Sequence, residues 1–226
     1  MADAKISGLS ELTSPANGDL IPIVDVSDTT QAVSGTTKYI QKSNLAPSAV
    51  WSLLEEVACA SQTYIDFNGD GSNYTDLTDT NFEEFRIVFD GVVPSATSEG
   101  QCYIIDNGSR ITSGSAYHYH ELALLDSTPT PTNNNSAGVN TGYFHKRSHA
   151  AAGKLFGEIL IPRFTATEYP EWMSNILLWA SSSSLARAML MCGANSAYST
   201  IEGVSLKRST GNWGTSGSVK LYGRAA

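Results

Sequence analysis

The chain has 226 residues, enough to bury a core in one large or two small domains. Its formal charge of -8 and pI of about 4.9 argue against a nucleic-acid binder, which needs a basic patch to displace counterions from phosphates. The only short basic cluster is His145, Lys146, Arg147 and His149, with both histidines expected in a surface loop. Charged residues make up 16%, against roughly 25% in ordinary soluble domains, and Ser, Thr, Asn and Gly crowd between apolar runs. That composition suits many short strands joined by turns.

The section from 1 to 45 alternates small apolar islands with turn residues. Lys5, Ile6 and Leu9 form the first, before the turn signal Ser14-Pro15-Ala16-Asn17-Gly18. Asp19, Leu20, Ile21, Pro22, Ile23, Val24 and Asp25 follow, with Pro22 restricting any strand to an edge or an irregular path. Thr36 to Ile40, including Lys38, is a second short strand candidate. So few apolar residues cannot sustain a core, so this section is expected to be ordered by a partner or by copies of itself. Residues 46–50 read as a linker, and 51–226 as the main domain.

Trp51 to Val57 fits a helix or a strand by length, and the β context that follows favours strand. Beyond Thr63 the apolar period is mostly two. Phe85, Ile87 and Phe89 share one face, with Arg86, Val88 and Asp90 on the other. Cys102 and Ile104 alternate with Tyr103 and Ile105. Leu155 to Ile161, Ile176 to Ala180, Ala186 to Cys192, Val204 with Leu206, and Val219 with Leu221 extend the series. Glu171 to Ser184 is the one candidate helix. Ser127 to Ser136 is proline-broken and reads as an exposed loop, as does the Gly-rich turn from Gly211 to Gly217. The expected fold is all-β: a small irregular N-terminal segment, then an antiparallel β-sandwich or jelly roll.

Three cysteines, Cys59, Cys102 and Cys192, lie far apart and are expected to be buried free thiols of a protein made in a reducing cytosol. Met1 to Lys5 leads into no apolar stretch of the kind a signal peptide needs, and no run approaches the roughly 18 apolar residues that cross a bilayer.

Taken together, Lys5-Ile-Ser-Gly-Leu9, Gly18-Asp-Leu-Ile-Pro-Ile-Val-Asp25, Thr36-Thr-Lys-Tyr-Ile40 and Asn44-Leu45 resemble the N-terminal virion-attachment segment of bacteriophage tail-fibre and related appendage proteins. Phe85 to Ala96, Ile201 to Leu206, Ser209 to Trp213 and Gly217 to Gly223 more loosely resemble the β-sandwich modules that end phage tail, head-fibre and decoration proteins. The resemblance implies a structural protein of the virion, made in the bacterial cytoplasm and docking on other virion proteins through Lys5, Ile6, Leu9, Asp19, Leu20, Ile21, Pro22, Ile23, Asp25, Lys38 and Ile40. It also implies a homotrimer and leaves a host-surface glycan open as a further partner. A short tail fibre or adaptor, a head fibre or decoration protein, and a sugar-binding or sugar-cleaving tip are the readings it allows. No shaft repeat separates the two ends of this chain.

Chemistry is thinly signalled. Asp66, Asn68, Asp70 and Asp76 imitate the start of a calcium loop, but Leu77 stands where a bidentate Glu belongs. His118 and His120 share one face of a strand and could converge on a metal, or simply line a half-exposed strand. Glu55-Glu56 and Glu83-Glu84 are adjacent acids on opposite strand faces, unsuited to flanking a glycosidic bond. Trp172, Trp179 and Trp213 are expected in the core or a subunit interface, with Trp213 the nearest to a surface. No catalytic residue, metal or cofactor is assigned, and a non-enzymatic protein is expected.

Overall fold

The computed structural model describes residues 20–25, 36–41, 51–69, 74–113, 115–125, 128–149, 153–165, 169–180, 184–196, 198 and 201–226. The chain divides into two compact units, Met1–Val50 and Trp51–Ala226. In the first, β1 (Leu20–Asp25) pairs antiparallel with β2 (Thr36–Gln41), placing Ile21 opposite Ile40 and Pro22 opposite Tyr39. Both strands of a two-stranded ribbon are edges, the setting in which a proline is tolerated.

The second unit is built from strands throughout, with no helix among the described residues. Its strands are β3 (Trp51–Ala58), β4 (Tyr64–Phe67), β5 (Phe82–Val92), β6 (Ser98–Asp106) and β7 (Ser109–Arg110). Then come β8 (Tyr117–Leu125), β9 (Thr128–Val139), β10 (Tyr143–His149), β11 (Leu155–Pro162) and β12 (Glu171–Ala180). The last three are β13 (Ser184–Ala194), β14 (Ile201–Arg208) and β15 (Ser218–Ala225). An eight-stranded sheet runs β3-β15-β5-β11-β12-β13-β8-β9, and a smaller one runs β10-β6-β14-β4 with β7 beside β6. Every pairing is antiparallel, and one hydrophobic core draws on both sheets, as a β-sandwich requires.

Burial alternates with period two along β5. Phe85, Ile87 and Phe89 are buried while Arg86 and Val88 are half-exposed. Two segments depart from expectation. Glu171 to Ala180 is strand, because Trp172, Ser174, Ile176 and Leu178 alternate into the core. Thr128 to Val139 is strand as well, paired with β8 alone. Being an edge, β9 can carry Pro129 and Pro131, each lacking the N–H that a central strand must donate.

The edge strand β10 of the smaller sheet ties the two layers together. It pairs with β6 along one side only, with register shifts, so several of its backbone groups need other partners. The large sheet supplies them. Trp172 Nε1 donates to the Tyr143 carbonyl at 2.8 Å, and Ser174 Oγ donates to the Phe144 carbonyl. The Lys146 N–H donates to Glu121 Oε1 at 3.0 Å. Ser174 and Glu121 are fully buried polar residues because each completes a strand of the opposite sheet.

Beside these bonds three rings stack nearly parallel. Phe144 lies 4.9 Å from Phe89 and 6.3 Å from Trp213, centroid to centroid. Trp213 is fully buried rather than near a surface: its indole closes the core while Nε1 donates to the Leu206 carbonyl. His145, expected in a loop, is also buried; its Nε2 accepts from Arg208 Nη1 at 2.7 Å. Arg208 further donates to Ser98 Oγ and the Ser98 carbonyl, and burial pushes its pKa down to about 9. Gly100 on β6 leaves room for this packing, since a Cβ there would sit 2.3 Å from the Phe144 ring and 2.4 Å from the His145 ring.

Gly100→Ala should therefore cost about 1–3 kcal/mol through overpacking, read as a lower thermal midpoint. All three cysteines are free and buried, and burial pushes the Cys59 thiol to about 11 and the Cys192 thiol to about 12, from an unfolded value of 9.0. The raised values mean that the folded state holds these protons more tightly. Their contribution to stability is complete below pH 9 and disappears as pH rises through 11 to 12. Melts at increasing pH should show this fall, and a Cys192→Ala, Cys59→Ala double variant should show less of it.

Candidate functional site

The large sheet has one face on the core and one face outward, and the outward face is unusually apolar. Three of the four methionines, Met173, Met189 and Met191, stand there at 41%, 42% and 60% exposure, with Leu122 at 40%. Sheet register explains their grouping. Met173 pairs with Met191, Met191 with His120, and Met189 with Leu122. Leu160 lies beside Met173, Arg86 beside Leu160, and Tyr222 beside Arg86. The Arg86 guanidinium sits 4.6 Å over the Trp51 ring and 5.8 Å from that of Tyr222, so this end of the row is held by its own aromatic contacts.

Part of this face is hollowed into a groove of about 720 Å³. Leu160, Pro162, Met173 and Met191 give it apolar walls, while Glu84, Glu171, His118, His120, Asn135 and Asn195 line its polar parts. His118 and His120 share the groove, as their spacing requires, and His118 is oriented. Asn195 Nδ2 donates to the Ser115 carbonyl at 2.7 Å, which turns Asn195 Oδ1 toward His118 Nδ1 at 3.0 Å. An oxygen there can only accept, so Nδ1 carries a proton, and in the neutral ring Nε2 is the acceptor.

Glu84 is already engaged: Arg224 donates its Nε to Glu84 Oε2 at 3.1 Å and lies 3.2 Å from Glu83 through Nη1. The adjacent acids thus clamp one guanidinium. Glu55 accepts from the Tyr74 hydroxyl at 2.7 Å, and Glu56 lies 3.7 Å from Lys220. Asp66 is likewise occupied, by Arg110, whose Nε donates to Ser205 Oγ at 2.7 Å. Asp76 caps a local turn, accepting from the Thr78 N–H at 2.7 Å. Asp70 lies outside the described residues, as does the Trp179 side chain. Among the described residues no three His, Cys, Asp or Glu side chains gather as a metal site would need. No helix among them is long and apolar enough to cross a membrane.

Of the expected docking residues, Leu20, Ile21, Pro22, Ile23 and Asp25 lie on β1, and Lys38 and Ile40 on β2. Lys38 is exposed. Lys5, Ile6, Leu9 and Asp19 lie outside the described residues. The methionine face was not anticipated, though Ala188 to Cys192 is apolar at every position, a pattern expected of a strand covered on both faces. No protein-family model, curated protein or solved structure matches the chain.

If the outer face serves contact and not folding, Met191→Ser should change stability by no more than about 0.5 kcal/mol. Ser174→Ala, only strands away, should cost about 1–3 kcal/mol by leaving the buried Phe144 carbonyl without its donor. Chemical denaturation of the two variants checks the contrast.

Proposed function

We propose that the chain is a non-catalytic structural component of a bacteriophage particle, a short tail fibre or adaptor. In this reading residues 1–45 dock on the virion, three copies associate, and the β-sandwich contacts another virion protein or the host surface. The observation that carries the contact role is the outer face, where three methionines and Leu122 stand in solvent on neighbouring strands. Clustered exposed apolar groups of this kind mark interaction surfaces, and flexible thioethers adapt to a partner's shape. The virion assignment itself is supported by the N-terminal resemblance.

A head-fibre or decoration protein is the second reading, favoured by the breadth of the same face, which would clamp capsid subunits. The groove favours a protein over a sugar as its occupant: Tyr119 and Trp172, which also line it, are buried, so its exposed apolar walls are thioether and aliphatic, where a sugar site would offer exposed aromatic platforms.

A version reduced to residues 46–226 tests the docking role. It should fold, since the second unit has its own core, yet be missing from particles when it is the only copy supplied during infection. Normal incorporation of this shortened chain would refute docking through the first section.

A further inference from the structure

We propose that the groove on the outer face receives a guanidinium group, an arginine side chain presented by a partner protein. Two acceptors converge there. Gly193 on β13 lies between His118 on β8 and Glu171 on β12, opposite His118 in one register and opposite Glu171 in the other. A Cβ at Gly193 would stand 2.9 Å from Glu171 Cγ and 3.1 Å from His118 Nε2. The missing side chain thus lets a carboxylate and an imidazole lean over one point from either side.

Both acceptors are available. Asn195 holds a proton on His118 Nδ1, so in the neutral ring Nε2 is an acceptor, close to the same point as Glu171 Cγ. Glu171 is exposed and makes no hydrogen bond or ion pair among the described residues, while its neighbour Glu84 is held by Arg224. A planar fork of N–H donors spans two such acceptors better than a single ammonium does. Beside them Met173, Met191 and Leu160 offer an apolar bed for the three methylenes of an arginine stem.

The molecule already uses each half of this arrangement internally. Arg208 donates to the Nε2 of His145 at 2.7 Å, and Arg224 lies between the carboxylates of Glu83 and Glu84. The groove presents the two acceptor types together with no cation of the described chain between them. A net charge of -8 adds a favourable long-range field for a basic segment.

This inference rests on the outer face being a contact surface, and not on the chain residing in a virion. The test titrates N-acetyl-arginine amide into the full-length protein and follows the methionine methyl and histidine Cε1 signals by NMR. Saturable shifts are expected for Met173, Met191 and His118. The citrulline analogue, which is neutral and nearly the same shape, should produce none at equal concentration. Glu171→Gln should weaken arginine binding at least about tenfold, as expected when one partner of a charge-assisted pair is lost. Gly193→Ala should also weaken it, with core signals of both variants unchanged. Equal shifts with citrulline, an unaltered affinity in Glu171→Gln, or no shift with arginine would each overturn the proposal. A shortened chain that still enters particles would count against virion docking and leave this result untouched.

Discussion

Strand β10 must satisfy its backbone away from its own sheet, and the rest of the second unit is arranged around that requirement. It has β6 on one side only, so the Tyr143 and Phe144 carbonyls accept from Trp172 and Ser174, and the Lys146 N–H donates to Glu121, across the core. These bonds are directional and fix where the layers meet, which apolar burial alone does not. The Phe89, Phe144 and Trp213 stack fills the space beside them, and each ring pair adds about 0.5–1.5 kcal/mol beyond its burial. Tyr117 contributes a similar tie, accepting from the Ile104 N–H and donating to the Ile111 carbonyl. Three buried side chains, Trp172, Ser174 and Glu121, thus replace the ladder that the edge strand β10 lacks.

With the inner face committed in this way, the opposite face of the large sheet around β12, β13 and β8 lies outside the core. It is long, continuous and set on a rigid support, and its residues are free to be chosen for contact. Met173, Met189, Met191 and Leu122 fit that freedom, as they are poor choices for water and add little to the core. The same rigidity holds His118 and Glu171 in place, because each projects from a strand that is itself paired on both sides.

How much of this was legible in the sequence follows from where the information lies. Alternation in Phe85 to Phe89 revealed a strand because one face is core and the other is not. Glu171 to Ala180 alternates equally well, yet Ser174 at an inward position obscured it, and that serine is inward only to serve Phe144. The composition of Ser127 to Ser136 suggested a loop, since nothing local announces that β8 offers an edge for Thr128 to Val139 to pair with. Trp213 sat among glycines and looked exposed; those glycines let the chain turn its indole inward. His145 looked like part of a basic surface cluster, and its burial depends on Arg208, some sixty residues away in the chain. The groove was legible only as the pair His118 and His120. Glu171 and Gly193 join it through the order β12-β13-β8, which is a property of the sheet and not of any segment.

If the protein is, as proposed, a contact module of a phage particle, it must be found in purified particles, which is directly measurable. Quantitative peptide mass spectrometry of purified particles from an infection expressing the full chain gives its copy number per virion. The account predicts a fixed stoichiometric number, a multiple of three, that survives salt washing of the particles. Particles free of the chain, with the protein confined to the soluble fraction of the lysate, would contradict it.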